Sequence, residues 1–234
     1  LNLNNMTGTI VDSINAEGQI WIPRTVTYDN QEFVITSIGK NAFVRDTKLK
    51  SITFPENSQV KKIGEGAFAF SSLWHLYIPA SVESLGDGFL SGAIQLVEIV
   101  VSPSNPFVTY LNKTFLICRG VLYYAARNNR ELVIPAFVKK IARFAFDYHA
   151  KLEDVTFEPR SQLLCIGMNS FDHTSLEHIV IPASCNCLEK GCFFGANELA
   201  RIEVIQPNKN ISYIDGSYLI CDGSLIFARR DIEH

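Results

Sequence analysis

The feature that most constrains this chain is that it repeats itself. Three stretches line up: ITSIGKNAFVRDTKLKSITFP at 35–55, VKKIGEGAFAFSSLWHLYIP at 60–79 and LLCIGMNSFDHTSLEHIVIP at 163–182. They share an Ile-Gly, then a small residue before Phe, then L-x-x-[IVL]-x-[FI] with a proline at or near its end. Degenerate copies start at Leu85, Ile141 and Leu188. The heading Ile or Leu falls at 38, 63 and 85 and again at 141, 166 and 188, so the spacing is 25 then 22 in both halves and each unit returns 103 residues later. The same shift carries Tyr110, Cys118, Gly120 and Leu122 onto Tyr213, Cys221, Gly223 and Leu225, which marks an internal duplication. Self-similarity at this period signals a repeat architecture and takes precedence over local readings.

A unit of 22 to 25 residues cannot bury an apolar side alone, whereas stacked units share one core, so the chain is expected to form a solenoid. Its L-x-x-I-x-I strands should pair in parallel along the stack, with alternate side chains inward. That places Ile20 and Ile22, Ile52 and Phe54, Leu76 and Ile78, Ile99 and Val101, Leu132 and Ile134, Val155 and Phe157, Ile179 and Ile181, and Ile202 and Val204 in the core of eight strands. On the return path, V-x-x-I-G predicts a short second strand, with Gly39, Gly64 and Gly167 allowing a bend. The A-F pair predicts a helical turn, in which Ala42, Ala67 and Ala145 permit close stacking and Phe43, Phe68, Phe146 and Phe171 form a ladder of rings. Segments 107–125 and 210–227 read as inserted β-hairpins, turning at Arg119-Gly120 and Asp222-Gly223.

The outward positions of the strands are the candidate partner-binding residues: Trp21, Thr53, His75, Tyr77, Glu98, Val100, Glu131, Asp154, His178 and Arg201. One column, Trp21, Thr53, Tyr77, Val100, Val133, Thr156 and Val180, is apolar and β-branched, and its neighbour is polar, with Glu98, Glu131 and Asp154 successive. The β-branched members also suit strands for their own sake. Trp21 and Tyr77, with Trp74, are the main aromatics expected outside the core, and aromatics ringed by polar groups have the composition of interface hot spots. His75 and His178 are expected on the exposed strand face, too far apart to share a metal.

Composition narrows the function classes. The chain is 47% hydrophobic and 19% charged, which supports a folded body, and its net charge of -3 offers no basic field for nucleic acid. No apolar run approaches the length of a membrane span. No G-x-S-x-G, H-E-x-x-H, P-loop or dinucleotide fingerprint occurs, so neither catalysis nor a cofactor is expected. Cys185, Cys187 and Cys192, with Cys165, resemble a thiolate cluster for zinc, but the spacing is poor and buried free thiols are the expectation. Cys118 and Cys221 are duplicates of one hairpin position and should be unpaired. Sequons for N-glycosylation stand at Asn5-Met6-Thr7, Asn112-Lys113-Thr114 and Asn210-Ile211-Ser212.

The pattern L-x-x-I-x-I-P-x-x-V-x-x-I-G-x-x-A-F resembles the BspA-like leucine-rich repeat family, surface proteins of anaerobic bacteria and parabasalid protists, over roughly residues 17–227. IPRTVTYDNQEFVITSIGKNAF at 22–43 looks like a family array start, and FEPRSQLLCIGMNSFDHTSLEHIVIP at 157–182 looks like the protist branch. The resemblance implies a leucine-rich repeat solenoid displayed at a cell surface or secreted, non-catalytic, often antigenic and adhering to host or matrix proteins. The chain departs from the standard repeat where an asparagine ladder would run, at Asn57, Ser81, Ser104, Arg160, Ser184 and Pro207. One solenoid domain over 1–234 is expected: a start at 1–34, repeats at 35–106, a hairpin insert at 107–131, repeats at 132–206 and a hairpin at 207–234, forming part of a longer array. The expected partners are proteins. The alternatives are an intracellular repeat scaffold, favoured by the lack of a leader in this sequence, and a carbohydrate-binding surface protein.

Overall fold

The computed structural model describes residues 1–14 and 16–229. They fall into two compact units, Leu1–Arg119 and Gly120–His234. Each is a solenoid of short parallel strands, and no helix occurs among the described residues.

In the first unit the face sheet runs Gly18–Trp21, Leu49–Thr53, His75–Ile78, Glu98–Val101, all parallel. The return sheet runs Thr7–Ile10, Gln31–Ile38, Lys62–Ile63, Ser84–Leu85, also parallel. In the second unit the face strands are Glu131–Ile134, Asp154–Phe157, His178–Ile181 and Arg201–Val204, and Val121–Ala125, Lys140–Ile141, Cys165–Ile166 and Cys187–Leu188 form the return sheet. All eight strands expected from the L-x-x-I-x-I pattern are present, four in each unit. Ile22, Ile52, Phe54, Leu76, Ile78, Ile99, Leu132, Ile134, Val155, Ile179, Ile181 and Ile202 are buried, while Ile20, Val101, Phe157 and Val204 are half-buried.

The phenylalanine ladder is formed within each unit. Phe43 stacks on Phe68 at 5.4 Å between ring centroids, and Phe146, Phe171 and Phe193 stack in turn at 4.9 and 5.6 Å. Burying each ring contributes on the order of 2–3 kcal/mol. Ala42, Ala67 and Ala145 are buried beside them, small enough to let successive coils approach.

The A-F segments are turns where the sequence predicts helical ones, and the backbone shows why. Left-handed residues flank each pair: Asn41 and Arg45, Gly66 and Phe70, Gly88 and Gly92, then Phe144 and Tyr148, Asn169 and His173, Gly191 and Gly195. Such residues break the i to i−4 ladder and turn alternate N–H groups toward the next coil. The N–H groups of Asn41, Phe43 and Arg45 donate to the carbonyls of Glu65, Ala67 and Ala69 at 2.7 to 2.9 Å, and those of Phe144, Phe146 and Tyr148 reach Met168, Ser170 and Asp172 at 2.8 to 3.3 Å. Gly39, Gly64 and Gly167 have no positive φ, so bending is not their role. A Cβ on Gly64 would lie 2.5 Å from the carbonyl carbon of Gly39, and one on Gly167 2.7 Å from the nitrogen of Arg143. Stacked backbones, rather than a bend, exclude a side chain there. Glu189 replaces this glycine in one coil, and its carboxylate accepts from Arg143 Nε at 2.7 Å, Met168 N–H at 3.0 Å and Lys140 Nζ at 3.3 Å. Burial raises its pKa, but these three donors outweigh burial and leave it low.

Each predicted hairpin has a further strand. Val108–Leu111 pairs antiparallel with Phe115–Cys118, and Ile211–Ile214, Tyr218–Cys221 and Ser224–Ala228 form a three-stranded antiparallel sheet. The chain enters each through an asparagine. Asn105 Nδ2 donates to the carbonyls of Pro79 and Val82 at 2.8 and 3.0 Å while its Oδ1 accepts from the N–H groups of Phe107 and Val108. Asn208, 103 residues on, repeats this with Cys185, Asn210 and Ile211. Asparagine carboxamides therefore do bridge coils, one residue beyond the Ser104 and Pro207 positions where the sequence reading looked for a ladder.

Candidate partner-binding face

The strand register decides which outward residues meet. In the first unit Trp21 lies opposite Thr53, His75 opposite Glu98, and Tyr77 opposite Val100. Trp21 is 59% exposed, Glu98 and Val100 are exposed, and Thr53, His75 and Tyr77 are half-buried. His75 Nε2 is 3.5 Å from Glu98 Oε2, a loose pair in solvent. Trp74, immediately before its strand, is also exposed at 57% and adds a second indole to this face's margin.

In the second unit the polar column is continuous: Glu131 lies opposite Asp154, Asp154 opposite His178, and His178 opposite Arg201. Sequence alternation placed His178 on the exposed face, and the structure corrects this: it is 8% exposed. Its neighbours explain the burial. His178 Nδ1 is 2.7 Å from Asp154 Oδ2 and 3.0 Å from an Arg201 Nη2, and its Nε2 is 3.3 Å from Glu203 Oε1. Nδ1 donates to Asp154 when it bears the proton and accepts from Arg201 when it does not. Arg201 and Glu203 are exposed and lie 3.5 Å apart, so the network's rim faces solvent and its centre does not. Arg130 and Glu153, ion-paired just before their strands, extend the charged border. Glu203 faces outward by the same alternation as Arg201, whereas the sequence reading passed over Arg130 and Glu153, which precede their strands and carry no periodic signal.

The apolar column is uneven. Val133 is 54% exposed, Thr156 and Val180 are half-buried, and Val180 is opposed by Glu203. The first unit thus presents exposed aromatic and apolar side chains on its face, and the second a linked run of acidic and basic ones.

The cysteines require one correction. Cys165 and Cys187, expected to be free, are opposite one another on adjacent return strands with Cα atoms 4.5 Å apart, and they form a disulfide. Occupying one repeat position in successive coils makes them neighbours in space, 22 residues apart in sequence. Cys118, Cys185, Cys192 and Cys221 are free and buried, as read. Burial pushes the Cys185 thiol up to about 12, and Cys192 is raised further still by burial. Among the described residues no group of side chains is arranged to hold a metal ion, and no helix is long and apolar enough to cross a membrane.

Comparison with known proteins agrees with the repeat geometry. The BspA type leucine rich repeat region matches in six copies, over residues 25–122 and 116–225. A leucine-rich repeat protein of Eubacterium ventriosum ATCC 27560 has a similar structure at a TM-score of 0.55 and 22% identity, covering 81% of this chain and 62% of its own, so this chain spans less than two thirds of that relative. A leucine rich cell surface protein of Faecalibacterium prausnitzii A2-165 aligns at 18% identity over 87% of this chain and 92% of its own, with a TM-score of 0.42. The pneumococcal vaccine antigen PcpA aligns at 16% identity over 93% of this chain and 86% of its own, with a TM-score of 0.36. None of the curated proteins matches the chain. Repeats of this kind typically present surfaces for protein interaction and are typically non-catalytic. With matches that run through nearly all of its coils, the chain belongs to the BspA type leucine-rich repeat family.

Proposed function

We propose that the chain is a cell-surface adhesin or antigen that binds host or matrix proteins through the outward residues of its strand faces. The observation that carries this is the run of six BspA type repeats, which holds a constant core beneath outward positions of varied chemistry. Trp21 supports the first unit's face as the anchoring part, because a large aromatic 59% exposed beside Thr53 and on the same face as Tyr77 is the composition of a binding hot spot. The Cys165–Cys187 disulfide supports a surface location over an intracellular scaffold, since such bonds persist in oxidising compartments. The four buried free thiols favour the scaffold reading, and antibody labelling of intact against permeabilised cells separates the two.

The test of binding is retention of purified host-surface and matrix proteins. Tyr77→Ala should weaken the complex by about 2 kcal/mol with little change in melting temperature. Unchanged retention after replacing Trp21, Tyr77 and Val100 together by alanine, in a chain that stays folded, would move the site off this face. The proposal also takes the two units as one cooperative array. Halves expressed separately that each melt at the parent's temperature would overturn that part.

A further inference from the structure

We propose that Asn112 is an acceptor for an N-linked glycan; its setting rests on the surface location proposed above, its position on local geometry. Asn112-Lys113-Thr114 forms the tip joining Val108–Leu111 to Phe115–Cys118. Asn112 and Lys113 are both exposed and both left-handed, with φ of 50° and 53°, and Thr114 N–H closes the turn on Leu111 at 2.9 Å. The Thr114 hydroxyl donates to the Asn112 carbonyl at 3.1 Å, which leaves it beside the acceptor residue. Among the described residues nothing hydrogen-bonds the Asn112 carboxamide, so a glycan there displaces no contact.

The duplicate of this turn supplies the contrast. Asp215-Gly216-Ser217 joins Ile211–Ile214 to Tyr218–Cys221 with φ of 52° and 63°, Ser217 N–H reaches Ile214 at 3.0 Å, and the Ser217 hydroxyl donates to the Asp215 carbonyl at 3.1 Å. One backbone thus serves both, and Gly216 suits the left-handed position better than Lys113 does. The turn alone therefore does not call for Asn-Lys-Thr; the sequon is what the first copy has and the second lacks. Asn210, the other sequon residue next to a hairpin, is occupied: its Nδ2 donates to Asp222 Oδ1 at 2.7 Å.

In the transfer, the Asn112 Nδ2 bonds to the anomeric carbon of a lipid-linked oligosaccharide diphosphate. The bond from that carbon to the diphosphate oxygen breaks, the lipid diphosphate leaves with the electron pair, and one amide proton passes to a base on the transferase.

The experiment secretes the whole chain from cultured eukaryotic cells behind an added leader, with a terminal tag carrying a proven acceptor sequon. Glycosidase release in heavy-oxygen water, followed by peptide mass spectrometry, should convert Asn112 to labelled Asp in most copies and leave Asn210 unlabelled. Thr114→Ala should abolish the label at Asn112 and Thr114→Ser should retain it. An unlabelled Asn112, or a label at Asn210 without one at Asn112, in chains whose tag is glycosylated would overturn the proposal. The added leader makes this outcome independent of where native cells place the protein, which the antibody labelling decides.

Discussion

In the first unit the return strands Lys62–Ile63 and Ser84–Leu85 meet through Lys62 and Ser84; in the second, 103 residues on, the same register sets Cys165 against Cys187 and bonds them. The difference recurs on other sides of the coil. Ser71, buried at the end of one turn, donates its hydroxyl to Phe68 at 2.8 Å, whereas Thr174 makes that bond to Phe171 in the second unit and the coil before it holds His149 at this place. The pair of buried Asp147 and half-buried Arg127, 3.3 Å apart, has Val44 and Arg24 as its counterparts by the 103-residue shift. What the duplication holds constant is the apolar ladder and the stacked backbone; what it lets vary is the means of tying one coil to the next. Shape thus comes from the shared part, and the unshared staples adjust how firmly each unit is held.

The largest effects should fall on the shared part and should match between units. Phe68→Ala and Phe171→Ala are equivalent truncations of fully buried rings, and each should cost about 4 kcal/mol in urea unfolding. A loss in one less than half that in the other would break the equivalence. The disulfide comes next and should act on one side only. Cys165→Ser with Cys187→Ser should cost about 3 kcal/mol through the reopened loop of 22 residues. Lys62→Cys with Ser84→Cys should transfer the cross-link to the first unit, as a non-reducing mass measurement would show.

The smallest effect sharpens the contrast by pH. Burial holds His149 near 4, against an ordinary 6.5, opposed by its Nε2 contact to the Ala126 carbonyl at 2.8 Å and assisted by the charges of Arg127 and Lys151. A base with a lowered folded pKa leaves the unfolded chain binding more protons between the two values. Its stabilisation is therefore complete above 6.5 and is lost as pH falls toward 4. About 2 kcal/mol should disappear between pH 6.5 and 5, and His149→Ser, which takes the residue found at the same repeat position in the Ser71 coil, should flatten that slope in urea midpoints.

Much of the fold was legible because its signal is periodic. The strand positions and the phenylalanine ladder follow from spacing alone, since each coil must bury the same side. The hairpin formed by Thr25–Tyr28 and Gln31–Ile38 did not follow, because Asp29-Asn30 supplies a left-handed turn without glycine and occurs once. The disulfide was missed because the cysteines were weighed only as zinc ligands or free thiols, although a shared repeat position in neighbouring coils implies contact. Of the candidate face, alternation gave the outward direction of Trp21 and Glu98, but the burial of His178 depends on how Arg201 and Glu203 lie across it, which is a property of adjacent strands together.

The left-handed residues bear on how such an array grows. An unconstrained Phe, Tyr or His avoids this conformation, at a cost of roughly 1–2 kcal/mol, yet Phe70, Phe144, Tyr148 and His173 all adopt it. The order of a coil is thus imposed from outside: the neighbouring coil offers a row of carbonyls that only this backbone can reach. Each finished coil acts as a mould for the one beside it, so ordering spreads along the chain like crystal growth from a seed. An extra copy inserted in frame would find its mould already cast, which makes lengthening by duplication an easy route for this architecture.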